Sequence, residues 1–248
     1  MGGLSAAETV KAADRIVHDV GSAWMLDRTT AERGKQLGFD NPLAFYFAGR
    51  GGVLGDVDAD VVVAALGWFE PGLVRAMWDE GVAVAGAREA ARRYGRACAA
   101  WGEERLAELE GVERLAELAE RVVRAAEGSG LPLFCGWRAE PAPEAGPGRL
   151  NHFLHVLREW RGALHLAATT AAGLAPLEAI LTDDGPGQAR MFGWQGDLPD
   201  CAALVGRRRE AEATTDRLAA AVYERALSPA ERSEFAGLVG ATGAAVLG

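Results

Sequence analysis

The chain has 248 residues, of which 49% are hydrophobic and 25% charged, and it carries a formal charge of −9 at pH 7. That is enough sequence for a full hydrophobic core and the composition of a globular protein. The negative balance argues against bulk nucleic-acid binding, which relies on a basic stripe over the phosphates.

No apolar run reaches the ~18 residues that cross a bilayer, and no signal-peptide core opens the chain. The three cysteines, at 98, 135 and 201, are scattered and without CxxC spacing. This is the usage of a reducing compartment, and the expected location is the cytoplasm. The basic residues are almost all arginine, with lysine only at 11 and 35.

Residues 4–27 read as a helix. Ser5 and Glu8 form a capping box, and Val10, Ala13, Ile16, Val17, Val20 and Trp24 recur at helical spacing. Thr29 and Thr30 cap a short second helix that Gly38 stops. Asp40-Asn41-Pro42 is a turn, followed by an apolar segment, Leu43 to Ala48. The run from Gly49 to Asp56 then places glycine at 49, 51, 52 and 55, around Arg50. It reads either as a loop that brings backbone close to a ligand or as a hairpin or wing-like loop. It lacks the Gly-Lys-Ser/Thr of a phosphate loop and the preceding strand of a dinucleotide fingerprint. Asp56 or Asp58 caps a helix over Ala59 to Phe69. Further helices follow from Pro71 to Gly81, from Val84 to Leu109, and from Val112 to Ala126.

Residues 128–148 are rich in proline and glycine and read as a linker or a long ordered loop, whose first half, with Leu131, Leu133, Phe134 and Trp137, packs against something. The segment divides an N-terminal half, 1–127, from a C-terminal half, 149–248, packed as one unit. Its second part, Pro141 to Gly148, reads as an exposed tether.

The stretch Arg149 to His165, RLNHFLHVLREWRGALH, holds three of the four histidines. On a helix, Leu150, Phe153, Val156, Leu157, Trp160 and Leu164 form one apolar face. Asn151, His152, His155, Arg158, Glu159, Arg161 and His165 fall on the other half. Two readings stand: a cationic face that is solvated or makes a helix–helix contact, or a buried or cleft-lining polar cluster that binds a small acid. A metal site is disfavoured, since Arg158 and Arg161 repel a cation and no ligand set is complete. Beyond lie a helix from Ala171 to Leu181, a turn at 183–187, and a short strand or wing from Arg190 to Trp194. A helix from Cys201 to Leu227 follows, and a capping box at Ser228 with Pro229 at N1 opens a last helix to Val239.

The halves share motifs. Thr29-Thr30-Ala31 matches Thr169-Thr170-Ala171, and Arg88, Ala90, Ala91, Tyr94, Arg96 and Ala97 match Arg217, Ala219, Ala220, Tyr223, Arg225 and Ala226. This pattern predicts a duplication with a site between the halves. The helices 4–27 and 149–172 would then be neighbours. Asp14, His18 and Asp27 would face His155, Arg158 and Glu159, a mixture of charges that suits a zwitterion.

The runs FYFAGRGGVLGDVDADVV, RYGRACAAWG, HFLHVLREWRGALHLAA and ARMFGW resemble the SalK-like family of actinobacterial proteins over roughly residues 10–235. Many of these are described as helix-turn-helix proteins and lie in natural-product gene clusters. More distantly, the chain is similar to the aziridine-forming enzymes of azinomycin-type pathways. The resemblance implies a mainly α fold of two winged-helix-like halves, with at most short β wings. It also implies biosynthetic chemistry without a metal or organic cofactor: an internal amine displaces sulfate and closes a three-membered ring.

Such a reaction needs donors where the leaving charge develops, and a carboxylate for the amine proton. The candidate catalytic residues are Asp56, Asp58, Glu159 and His155, with Glu104 a weaker one. The candidate substrate-binding residues are Arg50, His152, Arg158, Arg161 and His165. The expected partner is a small anionic or zwitterionic metabolite, with a second copy or a divergent homologue as the candidate protein partner. No nucleic acid or membrane is expected. Two alternatives remain open. One is a DNA-binding or ligand-responsive regulator, against which the segment 58–69 offers no Arg, Asn or Gln for base contacts. The other is a non-catalytic partner subunit, which would need an exposed apolar patch.

Overall fold

Ser5 accepts from the Glu8 amide, and the Glu8 carboxylate accepts from the Ser5 amide. The chain therefore enters its first helix where the capping box places it. A computed structural model describes residues 2–248, and among them the fold is mainly α, with no strand. The N-terminal helices are α1 (Ala6–Ala23), α2 (Arg28–Gln36), α3 (Pro42–Gly51), α4 (Ala59–Leu66), α5 (Pro71–Ala85), α6 (Ala87–Arg105) and α7 (Val112–Ala125). They are followed by α8 (Pro132–Ala139), α9 (Gly146–Ala171), α10 (Pro176–Leu181), α11 (Gly185–Met191), α12 (Val205–Ala226) and α13 (Pro229–Leu247). Among the described residues, no helix is long and apolar enough to cross a membrane.

The architecture is arranged about α9, which packs against α1, α6, α7, α8 and α12. From Leu150 to Leu157 every residue of α9 is buried. The predicted apolar face is correctly placed, but the polar half is covered as well. A helix buried all round is a core helix, not a surface one. One reason α1 can lie over the polar half is Gly21. A Cβ there would stand 2.6 Å from the Leu154 carbonyl oxygen and 2.9 Å from the Arg158 Cβ, so only glycine permits this crossing.

Several expectations are corrected. The glycine run at 49–55 is not a loop: α3 continues through Gly51 into a single 3-10 turn, Gly52–Leu54. Its glycines let α3 settle on α6, since a Cβ at Gly49 would meet the Tyr94 ring and one at Gly52 would overlap the Ala87 carbonyl. The helix expected to reach Phe69 stops at Leu66, where Gly67 turns the chain at φ +67°. Asp27, not Thr29 or Thr30, caps α2, accepting from the Thr29 amide at 2.8 Å. The segment 128–148 contains α8, whose Phe134 and Trp137 are fully buried as expected, but α9 begins at Gly146 within the supposed tether. The expected strand at Arg190–Trp194 is the end of α11, which Pro186 starts from its first turn, and a bend after it.

These contacts predict opposite effects for two glycine-to-alanine changes. Gly52→Ala should lower stability by about 2 kcal/mol through overpacking. Gly162→Ala should raise it by about 0.5–1 kcal/mol, because this helical position has open space around it. Urea unfolding midpoints of the two variants would check both signs.

Candidate functional site

Arg50, in the last turn of α3, reaches across to α9. Its Nε donates to Glu159 Oε1 at 2.7 Å and its Nη2 to Oε2 at 2.9 Å, a bidentate pair with both residues buried. Its Nη1 donates to Tyr46 Oη at 2.6 Å, one turn earlier on α3. Arg158 Nη1 donates to the same Glu159 Oε1 at 2.9 Å. Burial alone would raise the Glu159 carboxyl, but Arg50 and then Arg158 outweigh it and hold the group well below the usual carboxylate range. Two guanidiniums thus share one carboxylate, which leaves one uncompensated positive charge. Arg158 Nε is buried and has no partner.

One turn before Glu159 on the same face of α9, His155 is fully buried between two indoles. Its ring meets Trp24 at 5.2 Å and Trp137 at 4.4 Å, both edge to face. Its Nδ1 stands 3.9 Å from Glu159 Oε1, too far for a hydrogen bond, and neither ring nitrogen has a partner. Burial pushes its pKa down to about 3, against the pull of Glu159. His152 is lowered to about 4 by burial alone and lies against Phe153.

A second network begins at Arg161, on the next turn of α9. It donates to Asp14 Oδ2 of α1 at 3.1 Å, and to Glu212 and Asp216 of α12, the latter at 3.2 Å. Tyr223 Oη also donates to Asp14, at 2.9 Å. Burial pushes Asp14 up to about 6 despite Arg161 and Tyr223. Arg208 bridges Glu212 at 2.9 Å and Asp183 at 2.7 Å. Burial would raise Glu212, but Arg208 and Arg161 bring it down to about 2. His165 stacks on Trp68 at 5.6 Å, with its Nδ1 2.9 Å from Thr215 Oγ1.

The helix α1 lies alongside these residues of α9. There the His18 side chain is 44% exposed, against 18% for Arg161 and 14% for Arg158. Burial and then Arg158 push His18 down to about 4.

A helix-turn-helix family model matches residues 10–248. The chain belongs to this helix-turn-helix family. No curated protein and no solved structure matches it.

Of the sequence candidates in this helix-turn-helix protein, Arg50, His155, Arg158 and Glu159 come together in one buried cluster, and Arg161 and His165 join the second network. His152 stands apart from both. Asp56 and Asp58 are exposed along an open groove with Val61, Trp78 and Val82, where the chain turns at Gly55 after the 3-10 turn. Glu104 pairs with Arg33 at the surface. Among the described residues, no group of three His, Cys, Asp or Glu side chains is placed to hold a metal ion.

The residue-by-residue reading missed Tyr46 and Arg208. Tyr46 precedes Arg50 by four residues on one helix, and Arg208, Glu212 and Asp216 repeat at that same interval, so both patterns were visible locally. Nothing local marks Trp24, Trp137 or Trp68 as walls of a site.

Glu159→Gln leaves two guanidiniums without their counter-charge and should cost about 3 kcal/mol of stability, measured by urea unfolding. The histidines set the acid response. A neutral buried His155, His152 or His165 has a folded pKa of about 3 to 4, below the unfolded value of roughly 6.5. Their stabilising contribution is complete above about pH 6.5 and is lost as pH falls toward 4. Asp14 has the opposite sign: its raised pKa contributes stability below about pH 4 that is lost as pH rises through about 6. With these three histidines, and the half-exposed His18 acting in the same direction, against one carboxyl, the unfolding midpoint should fall between pH 7 and pH 5, and His155→Leu should flatten that fall.

Proposed function

We propose that this protein binds a small anionic metabolite where α1, α9 and α12 meet and acts on it without a metal or organic cofactor. The observation that carries this reading is the uncompensated charge at Arg50, Arg158 and Glu159, buried in a chain whose net charge is −9. A buried cation without its counter-ion is costly, and a ligand anion supplies what the fold omits. Arg50 is committed to Glu159 by both of its parallel bonds. Arg158 is the cation left over, with a single bond to Glu159 and its Nε without a partner.

This reading includes the chemistry that the sequence resemblance implies. In ring closure, a carbon–nitrogen bond forms as a carbon–oxygen bond breaks. Arg158 would receive the departing sulfate, and a carboxylate would take the amine proton. Asp14, which burial pushes up to about 6, lies beside Arg161 and has the proton affinity for that work.

Membership of a helix-turn-helix family favours a second reading, a regulator that binds DNA. The helix entered from the tight turn at Gly67, α5, offers little for base contacts. Its first turns hold a single cation, Arg75, which donates to Asp60 at 2.7 Å, and they continue into Asp79 and Glu80. The duplication expected from sequence draws support from packing: α13 lies on α1 as α7 lies on α9, and α12 packs on α1 as α6 packs on α9.

Calorimetric titration with sulfate, acetate and hexanoate tests the proposal. Wild-type protein should bind at least one of them, and Arg158→Ala should weaken that binding about tenfold or more. If none binds, and the protein instead shifts duplex DNA in a salt-dependent manner, the regulator reading replaces this one.

A further inference from the structure

Thr215 Oγ1 lies 2.8 Å from the Ala211 carbonyl oxygen, one turn earlier on α12. A carbonyl only accepts, so the single hydroxyl proton of Thr215 is committed there. The same Oγ1 lies 2.9 Å from His165 Nδ1. At that contact the hydroxyl accepts, and Nδ1 carries the imidazole proton. Glu212 Oε2, 3.4 Å from Nδ1, also calls for a donor at this atom. His165 Nε2 is therefore a bare acceptor. It is shut off from solvent, it has no donor within the protein, and the residue is 9% exposed. A buried acceptor left without a donor is uncommon in a folded protein.

The surroundings say which donor suits it. Asp14, Asp183, Glu212 and Asp216 stand against Arg161 and Arg208, four carboxylates to two guanidiniums. Trp68 lies over the imidazole, its ring tilted 23° from it. Excess negative charge and an indole face favour a cation over a neutral hydroxyl. Seven residues earlier on α9, Arg158 favours an anion. Residues 158 and 165 lie on one face of α9, about 10 Å apart along its axis.

We infer that His165 Nε2 accepts a hydrogen bond from an ammonium group of the ligand, so that the metabolite is an extended zwitterion with its anionic end at Arg158. The inference rests on the anion-binding reading above and adds the ligand's second group and its length. The spacing excludes a compact α-amino acid, whose two charges are too close to reach both residues.

The test compares 6-aminohexanoate with hexanoate by calorimetric titration and follows the imidazole nitrogens by NMR. Free wild-type protein should show the Nδ1–H tautomer at His165. It should bind 6-aminohexanoate at least tenfold more tightly than hexanoate, with a shift of the Nε2 resonance on saturation. His165→Leu should erase the preference and leave hexanoate affinity within twofold. Thr215→Val, of similar shape, releases the tautomer and should reduce the preference even where His165→Leu fails to fold. An Nε2–H tautomer, equal affinity for the two probes, or an unmoved Nε2 signal at saturation, as for an ordered water only, overturns the inference while hexanoate binding upholds the anion site. Binding of neither probe overturns the anion site and this inference with it.

Discussion

A carboxylate buried to within a hundredth of its surface must bring its counter-charge with it, and Glu159 brings two. The bidentate pair with Arg50 ties α3 to α9, and the bond from Arg158 closes the cluster on the side of α1. The rest of the arrangement follows from putting that charge inside. Tyr46 takes the remaining Arg50 donor, the Trp137 indole donates to the Arg50 carbonyl at 3.1 Å, and His155 is kept neutral by the indoles around it. Without such partners, α9 could not run through the centre of the bundle with polar residues on its inner face.

Along α9 the sign of the local charge reverses within about one helical turn. The inner cluster carries one more guanidinium than carboxylate, whereas the network around Arg161 and Arg208 carries more carboxylates than guanidiniums. Opposite fields side by side orient a bound ion or dipole more strongly than either does alone. They also separate two kinds of titrating group, with histidines held neutral and Asp14 held near 6. Sites that divide acid and base work depend on separations of this kind.

Local signals proved legible where the physics is local. The capping boxes at Ser5 and Ser228 start α1 and α13 as their spacing implies, because cap and donor are three residues apart. The apolar stripe of α9 is buried as expected. The glycines around Arg50 were misread because their function is tertiary: they give room to Tyr94 and Ala87, which lie some forty residues further along the chain. In the segment 128–148 the first half packs, as its apolar residues imply, and only the expected tether differs, for a related reason. Its prolines open helices at their first turn, and Trp137 and Phe134 bury surface against elements that sequence spacing does not reveal.

By itself, the sequence determined the helical class, most helix starts, and the concentration of histidine and arginine on the helix from 149 to 165. Each of these depends on residues within a turn or two of one another. Only the tertiary structure decided that this helix is central, that Arg50 pairs with Glu159 across 109 residues, and that Asp56 and Asp58 lie in a separate groove. It also decided the proton position on His165, which depends on a threonine 50 residues away. Charge pairing and tautomer choice are set by distances of a few ångströms, and the chain makes those distances only when its helices pack.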